Sequence, residues 1–258
     1  MAIHAIIQAR MGSSRLPGKV LMNLSGKSVL QHIINRLKQS KYINQIIVAT
    51  SDNDENGAIF ELCDSINISC FRGSEDDVLD RFYQTGKEFG FNLDDIVIRI
   101  TADCPLIDYE IVDNTIKLHL DEKNDYTSNT MPCTFPDGLD CEVFNFSVLI
   151  NTWQNANLSS EREHVTLYIR NHPEIFKLGG LKNNIDYSYL RWTLDEQEDY
   201  ILINEIYENL YDINEFFNMG DVLKLLEVRP ELKDINSFIE RNEGLKKSLK
   251  NDKVLENR

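Results

Sequence analysis

The sequence predicts an α/β fold, a mainly parallel sheet flanked by helices, with a helical extension at its C-terminal end. Three observations carry that expectation. Short apolar runs alternate with longer amphipathic stretches through the first half of the chain. The spacers between runs are long enough for right-handed crossovers, which join parallel strands. The chain has 258 residues, 42% hydrophobic and 27% charged, which suits a packed core and not a disordered chain or a repeat array.

The first strand is expected at residues 3–8, the run Ile-His-Ala-Ile-Ile-Gln, apolar enough to be buried on both faces. A loop rich in Gly, Ser and Pro follows. Ser28 is then placed as the N-cap of a helix carrying Val29, Leu30, Ile33, Ile34 and Leu37 on one face. Residues 45–50 read as the next strand, about 54–67 as a helix, 68–71 as a short strand and 76–89 as an amphipathic helix. A fourth strand runs from Ile96 to Ile100 and stops just before Thr101-Ala102-Asp103. The second half is less regular. Short strands are expected within 125–146 around a Pro-rich loop, Met131 to Gly138, followed by helices over 147–156, 160–171 and 197–210. From about residue 212 the chain is acidic and amphipathic, with Pro230 as a breaker; extra helices are expected there, and a frayed last ten residues. Residues 1–211 read as one domain and 212–258 as its helical extension.

Acids outnumber bases 42 to 27, a net charge of −15, which argues against a nucleic-acid partner. The imbalance is uneven. Residues 1–50 hold no Asp or Glu but carry Arg10, Arg15, Lys19, Lys27, Arg36, Lys38 and Lys41, so this stretch is +7 and the remainder −22. A basic stretch inside an acidic chain points to a local anion site. Five cysteines with no CxxC and no zinc-like spacing read as reduced thiols, which sets the expected location as cytoplasmic. No signal-peptide pattern and no apolar run of about 18 residues occurs, so no membrane association is expected.

The most informative stretch is Gln8-Ala-Arg-Met-Gly-Ser-Ser-Arg-Leu-Pro-Gly-Lys19. It leaves the first strand directly, at the carboxyl edge where open α/β sheets bind ligands. Gly12 lets backbone N–H groups turn toward an anion, Ser13 and Ser14 add hydroxyl donors, and Arg10, Arg15 and Lys19 add charge. Together they suit a triphosphate. The spacing is not that of a P-loop: five residues separate Gly12 from Gly18, and Val20 follows the lysine. There is no G-x-G-x-x-G either.

This loop, between a strand and a helix, resembles the signature of the sugar-activating cytidylyltransferases. These include CMP-Kdo synthetases, acylneuraminate cytidylyltransferases and, most closely, the spore-coat polysaccharide biosynthesis protein F type. The resemblance continues through Val48-Ala-Thr-Ser, Phe71-Arg-Gly-Ser-Glu-Asp-Asp-Val-Leu-Asp-Arg81, Arg99-Ile-Thr-Ala-Asp-Cys-Pro105, Asp137-Gly-Leu-Asp140, Arg162-Glu-His-Val-Thr166 and Arg191-Trp-Thr-Leu-Asp195, over roughly residues 1–210. It implies a nucleotidyltransferase fold of GT-A-like, Rossmann-like type. It also implies CTP as donor, a sugar acid or related acceptor, pyrophosphate as product, Mg2+ as cofactor and a homodimer with a contact near 130–150. Gln8, Ala9, Arg10, Gly12, Ser13 and Ser14 are then expected to bind the nucleotide, with Arg15 and Lys19 as the catalytic cations on the leaving phosphates.

A triphosphate donor calls for a magnesium ion held by carboxylates. Asp103, just past the fourth strand, is the first candidate; capping of the following turn is its other use. Asp195 matches the distal metal-ligand aspartate of the family, and an N-cap for the next helix is equally open. Arg72 and Ser74 follow the third strand, and their nucleotide role rests on the resemblance. Asp137, Asp140, Glu142, Arg162 and His164 are the candidate acceptor contacts. Arg162 can fork onto a carboxylate, and Asp140 and Glu142 suit hydroxyls. A solvated helix face and a packed histidine are the other readings of 161–164. Two other functions stay open: a GT-A-type glycosyltransferase using a nucleotide-sugar, and a non-catalytic nucleotide-binding protein of a glycan pathway.

Overall fold

The computed structural model describes residues 1–241 and 243–255. β1 (Ile3–Gln8) runs into the Gly/Ser/Pro loop, a 3-10 turn at Lys19–Leu21, and a small hairpin of β2 (Asn23–Leu24) and β3 (Lys27–Ser28). There follow α1 (Val29–Leu37), β4 (Gln45–Ser51), α2 (Gly57–Ser65), β5 (Ser69–Gly73), α3 (Val78–Glu88) and β6 (Ile96–Thr101). Next come α4 (Tyr109–Glu122), β7 (Tyr126–Ser128), β8 (Glu142–Asn145), α5 (Phe146–Asn155), α6 (Ser159–Glu163) and α7 (Leu167–Asn171). β9 (Leu178–Gly180), α8 (Gln197–Leu210), α9 (Met219–Val228), a 3-10 turn at Pro230–Asp234 and α10 (Glu243–Lys250) complete the order.

The main sheet has seven strands in the order β5-β4-β1-β6-β8-β7-β9. β5, β4, β1 and β6 are parallel, β8 is antiparallel to both β6 and β7, and β9 pairs parallel with β7. From β1 the chain crosses to β4 on one side, whereas from β6 it continues to the other side of the sheet. The carboxyl ends of β1 and β6 therefore flank the point where the winding reverses, which is where such sheets open a crevice. The basic loop and Asp103 leave from these two ends.

Strand alternation splits the core in two. Ile3, Ala5 and Ile7 of β1 pack under α1, α4 and α8, with Ile33, Ile116 and Ile203. Ile6 faces the other way, with Ala49, Val97 and Phe144 beneath Phe82 of α3 and Leu149 of α5.

Ser28 caps α1 as its position in the sequence suggested, its Oγ accepting from the Gln31 N–H at 3.2 Å. Helix α4 was not foreseen. Asp108 caps it, accepting from the Glu110 N–H at 2.9 Å, and its buried Ile111, Val112, Thr115 and Ile116 sit at helical spacing within a charged stretch. The single helix expected over 160–171 is two, because Val165, fully buried, adopts φ 39° between them. Through residue 255 the last residues are hydrogen-bonded to the domain. Asp252 accepts from the Ser160 N–H at 3.0 Å and its hydroxyl at 2.7 Å, and Leu255 donates to the Asn157 carbonyl at 2.8 Å. The rest of that stretch lies outside the described residues. Among the described residues no helix is long and apolar enough to cross a membrane, and the five cysteines are free thiols.

Candidate active site

The loop after β1 is folded onto itself: the N–H groups of Ser13 and Gly18 both donate to the Met11 carbonyl, at 2.8 and 3.1 Å. The left-handed residue is Gly18, at φ 71°, and not Gly12. A Cβ at Gly12 would come within 2.9 Å of the tip of the exposed Glu55 side chain, which can turn aside. Gly18 starts the 3-10 turn that turns Lys19 inward.

Lys19 is the pivot of the crevice. Its Nζ donates to Asp195 Oδ1 at 2.7 Å and to Asp103 Oδ2 at 3.1 Å, with a side chain only 10% exposed. Burial works against its charge, but the two aspartates outweigh that and hold its pKa above the usual lysine value. Burial likewise opposes the Asp103 charge, yet Lys19 and the Thr101 hydroxyl, at 2.5 Å, draw its pKa down to about 2. The backbone fixes this pair: the Leu194 N–H donates to the Asp103 carbonyl at 2.8 Å, so the two aspartates descend from segments already joined.

Asp195 does not cap α8. Asp199 does, its Oδ2 accepting from the N–H groups of Asp195 and Glu196 at 2.9 and 3.0 Å. The Asp195 carboxylate is thereby left to the crevice, where it also meets Arg15 at 3.3 Å and Arg191 at 3.4 Å. Arg15 further holds Glu196 at 3.0 Å and Glu243 of α10 at 3.2 Å. Arg10 pairs with Glu75 at 3.1 Å.

Two adjoining cavities open here. The larger, about 780 Å³, is lined by Gln8, Arg10, Gly12, Ser13, Ser14, Arg15, Lys19, Asp103 and Asp195, with Lys247 and Asn251 of the C-terminal segment opposite. The smaller, about 390 Å³, is lined by Arg99, Asp137, Asp140, Glu142, His164, Arg170, Arg191 and Arg241. Both share Gln8, Thr101, Asp103 and Asp195.

The loop carrying Asp137 and Asp140 is seated by Gly138, at φ 102°, where a Cβ would lie 2.4 Å from the backbone of Trp192 and Thr193. Asp137 pairs with Arg191 at 3.4 Å and Arg241 at 3.3 Å, and Asp140 with Arg241 at 2.9 Å. Burial pushes Asp140 up to about 7, even against the pull of Arg241. Glu142 differs. Burial would raise it too, but Arg99 and Arg170, with hydrogen bonds from Thr166 and Tyr126, bring it to about 2. Its oxygens are taken by Arg99, by the Tyr126 hydroxyl at 2.6 Å and by Thr166 at 2.5 Å. Glu142 therefore aims Arg99 and has little left for a hydroxyl.

Several candidates from the sequence fall elsewhere. Ala9 is buried beneath the loop and lines neither cavity. Arg72 donates to the carbonyls of Asp52 and Asn53 at 3.0 Å, and Ser74 accepts from the Asp77 N–H at 3.0 Å; neither lines a cavity. Arg162 is buried and clamps the N-cap of α3: it meets Asp77 at 2.8 and 3.0 Å and the Trp153 carbonyl at 2.8 Å. It ties α6 to α3, and an incoming carboxylate would have to displace Asp77. Of the seven early cations only Arg10, Arg15 and Lys19 reach the crevice. Arg36 is buried on the Ile107 carbonyl at 2.7 Å, and Lys27 pairs with Glu215.

Sequence reasoning missed Arg99, Arg170, Arg191, Arg241 and Glu243. Arg99 did leave a signal, a charge within the apolar run Ile-Val-Ile-Arg-Ile. Arg241 and Glu243 left none, because they lie far along the chain from the motifs they join.

The Asp103 and Asp195 carboxylates fit a divalent ion. They converge on one point, now filled by the Lys19 ammonium, and offer hard oxygen donors. Among the described residues no three or more His, Cys, Asp or Glu side chains are arranged to hold a metal ion, so phosphate oxygens and water would complete the set for magnesium.

A sequence profile described as Cytidylyltransferase matches residues 4–250. The chain is 37% identical over 210 residues to the spore coat polysaccharide biosynthesis protein SpsF of Bacillus subtilis, covering 79% of this chain and 85% of that one. It is 27% identical to the 3-deoxy-manno-octulosonate cytidylyltransferase of Francisella philomiragia, over 70% of this chain and 68% of that one. A solved cytidylyltransferase from Leptospira borgpetersenii superposes with a TM-score of 0.86 at 31% identity, over 93% of this chain and all of that one. The match to the profile runs past residue 210 and takes in α10.

Proposed function

Because the chain belongs to the cytidylyltransferase family, we propose that it transfers CMP from CTP to a sugar acid, releasing pyrophosphate, in the making of a surface glycan. The observation that carries this reading is Lys19 held between Asp103 and Asp195 where the two cavities meet. The basic loop, two carboxylates and a second compartment around one point support a phosphate site beside a divalent ion.

In this reading the larger cavity takes CTP. Ser13, Ser14, Arg15 and Lys19 face its polyphosphate, with Gln8, Arg10 and Gly12 at the rim. The smaller cavity takes the acceptor, whose hydroxyl oxygen attacks the α-phosphorus as the bond to the β-phosphate oxygen breaks and the hydroxyl proton passes to water. Such a displacement depends on alignment and on charge stabilisation. Arg15 exchanges Glu196 and Glu243 for phosphate oxygens, and Lys19 follows the negative charge onto the departing pyrophosphate. A magnesium ion on Asp103 and Asp195 would supply further charge neutralisation when bound. Asp137 and Asp140 hold acceptor hydroxyls, and His164 closes the far wall.

The test is pyrophosphate release from each of the four NTPs with a panel of sugar acids, with and without magnesium. CTP turnover that requires both the acid and the metal is the expected result. Turnover of a nucleotide-sugar in place of CTP, or CTP binding without pyrophosphate from any acceptor, would sink the proposal.

A further inference from the structure

Among the described residues twelve buried side-chain nitrogens and oxygens lack a hydrogen-bond partner, and five belong to residues lining the smaller cavity. They are Arg99 Nε, Arg170 Nε, His164 Nε2, and Nε and Nη1 of Arg241. Four are guanidinium nitrogens, which can only donate. A buried donor without an acceptor is destabilising, and several around one void suit an oxygen-rich ligand.

Arg241 stands apart from the other three residues. Arg99 and Arg170 lie on β6 and α7, whereas Arg241 arrives from the C-terminal segment. It enters between Asp137 and Asp140, with Nη2 on Asp140 at 2.9 Å and Nε 3.3 Å from Asp137 without hydrogen-bond alignment. Without it Asp140 would lose the ion pair it makes and Asp137 would keep Arg191 alone, which adds negative charge to the wall that faces the ligand. Gripped by two carboxylates, the guanidinium cannot swing out to solvent.

We propose that Arg241 is the residue that makes the smaller cavity selective for an anionic acceptor. It balances the charge of Asp137 and Asp140 on the wall that the carboxylate of the sugar would face. This assignment rests on the cytidylyl-transfer reading.

The experiment compares an acid with its uncharged counterpart. Pyrophosphate release from CTP is measured with 3-deoxy-manno-octulosonate, with N-acetylneuraminate and with the methyl ester of each. CTP affinity with magnesium is measured separately by calorimetry. In the wild-type protein at least one acid is preferred to its ester. Arg241→Gln is expected to raise KM for the acid about 10- to 100-fold, the scale of one charge-assisted contact, with little change in kcat or CTP affinity. The preference for acid over ester collapses, and Arg241→Lys restores part of it. The paired variant Asp140→Asn with Arg241→Gln leaves no lone buried charge and provides a folded comparison if the single variant melts early. An unchanged preference in the glutamine variants overturns the proposal. So does rejection of both acids by a wild-type protein that still binds CTP. Failure of the wild type to bind CTP would instead remove the functional reading beneath it.

Discussion

Lys19 makes the sharpest demand on a single side chain. It is nearly buried and touches both aspartates, and on the proposed reading it is the cation that follows charge onto pyrophosphate. Lys19→Ala is expected to lower kcat by about 100-fold or more, read as pyrophosphate release under saturating CTP. Turnover at the parental rate would show that the charge does not act on the leaving group. Glu142 makes a different demand. Its folded pKa of about 2 lies below the value near 4.3 of an unfolded glutamate. A depressed acid stabilises the fold above the unfolded pKa, and that contribution is lost as pH falls from about 4 toward 2. Glu142→Gln should therefore lower the melting temperature markedly at pH 6–7, and the gap to wild type should narrow near pH 3. A constant gap would assign the loss to packing alone. At this scale the sequence was legible where chemistry and position coincide. Arg15 and Lys19 lie in the loop that leaves β1, Asp103 lies just past β6, and all three line one cavity. Arg162 was not legible, because a charge at a helix start says nothing about which wall it faces, and Asp77 claims it.

The elements that could be read in advance are the apolar strands and amphipathic helices such as α1, α3 and α8. β1, β4 and β6 are nearly continuous apolar runs, and their order along the chain gives the crossovers. The short strands β7 and β8 fall within the 125–146 stretch where the sequence predicts strands, whereas the three-residue β9 pairs with β7 some fifty residues earlier and no local period announces it. The break at Val165 was equally silent. A β-branched residue at φ 39° is held there by tertiary packing, and the kink is what separates His164, at the cavity, from the run of α7. Gly138 is the element-scale test. Its φ of 102° and the 2.4 Å approach to the backbone of Trp192 and Thr193 leave no space for a methyl group. Gly138→Ala should lift the loop that carries Asp137 and Asp140. The expected result is destabilisation of about 2 kcal/mol or more, seen in denaturant melts, and weaker acceptor use while CTP affinity holds. Parental stability and acceptor KM would show that the loop can rise without consequence.

Across the whole molecule, the C-terminal segment spans the crevice and is fastened on both sides. Arg241 binds Asp137 and Asp140 at one end, and Asp252 binds Ser159 and Ser160 at the other. Between them α10 buries no residue, so it adds little to the core. Ending the chain after residue 239 should lower the melting temperature by a few degrees at most, yet raise acceptor KM at least as far as Arg241→Gln does. Collapse of the fold would mean that the segment is structural. Its place over the crevice could not be read from its sequence, since charged helices on a surface carry no address. The location of the crevice itself could be read, because the reversal of winding beside β1 follows from strand order.

The ammonium wedged between Asp103 and Asp195 has one more consequence. It is a tethered counterweight: between turnovers neither acid faces the other unbalanced, and neither has to relax outward for relief. On the proposed reading, a substrate entering the crevice meets carboxylates that are already aimed.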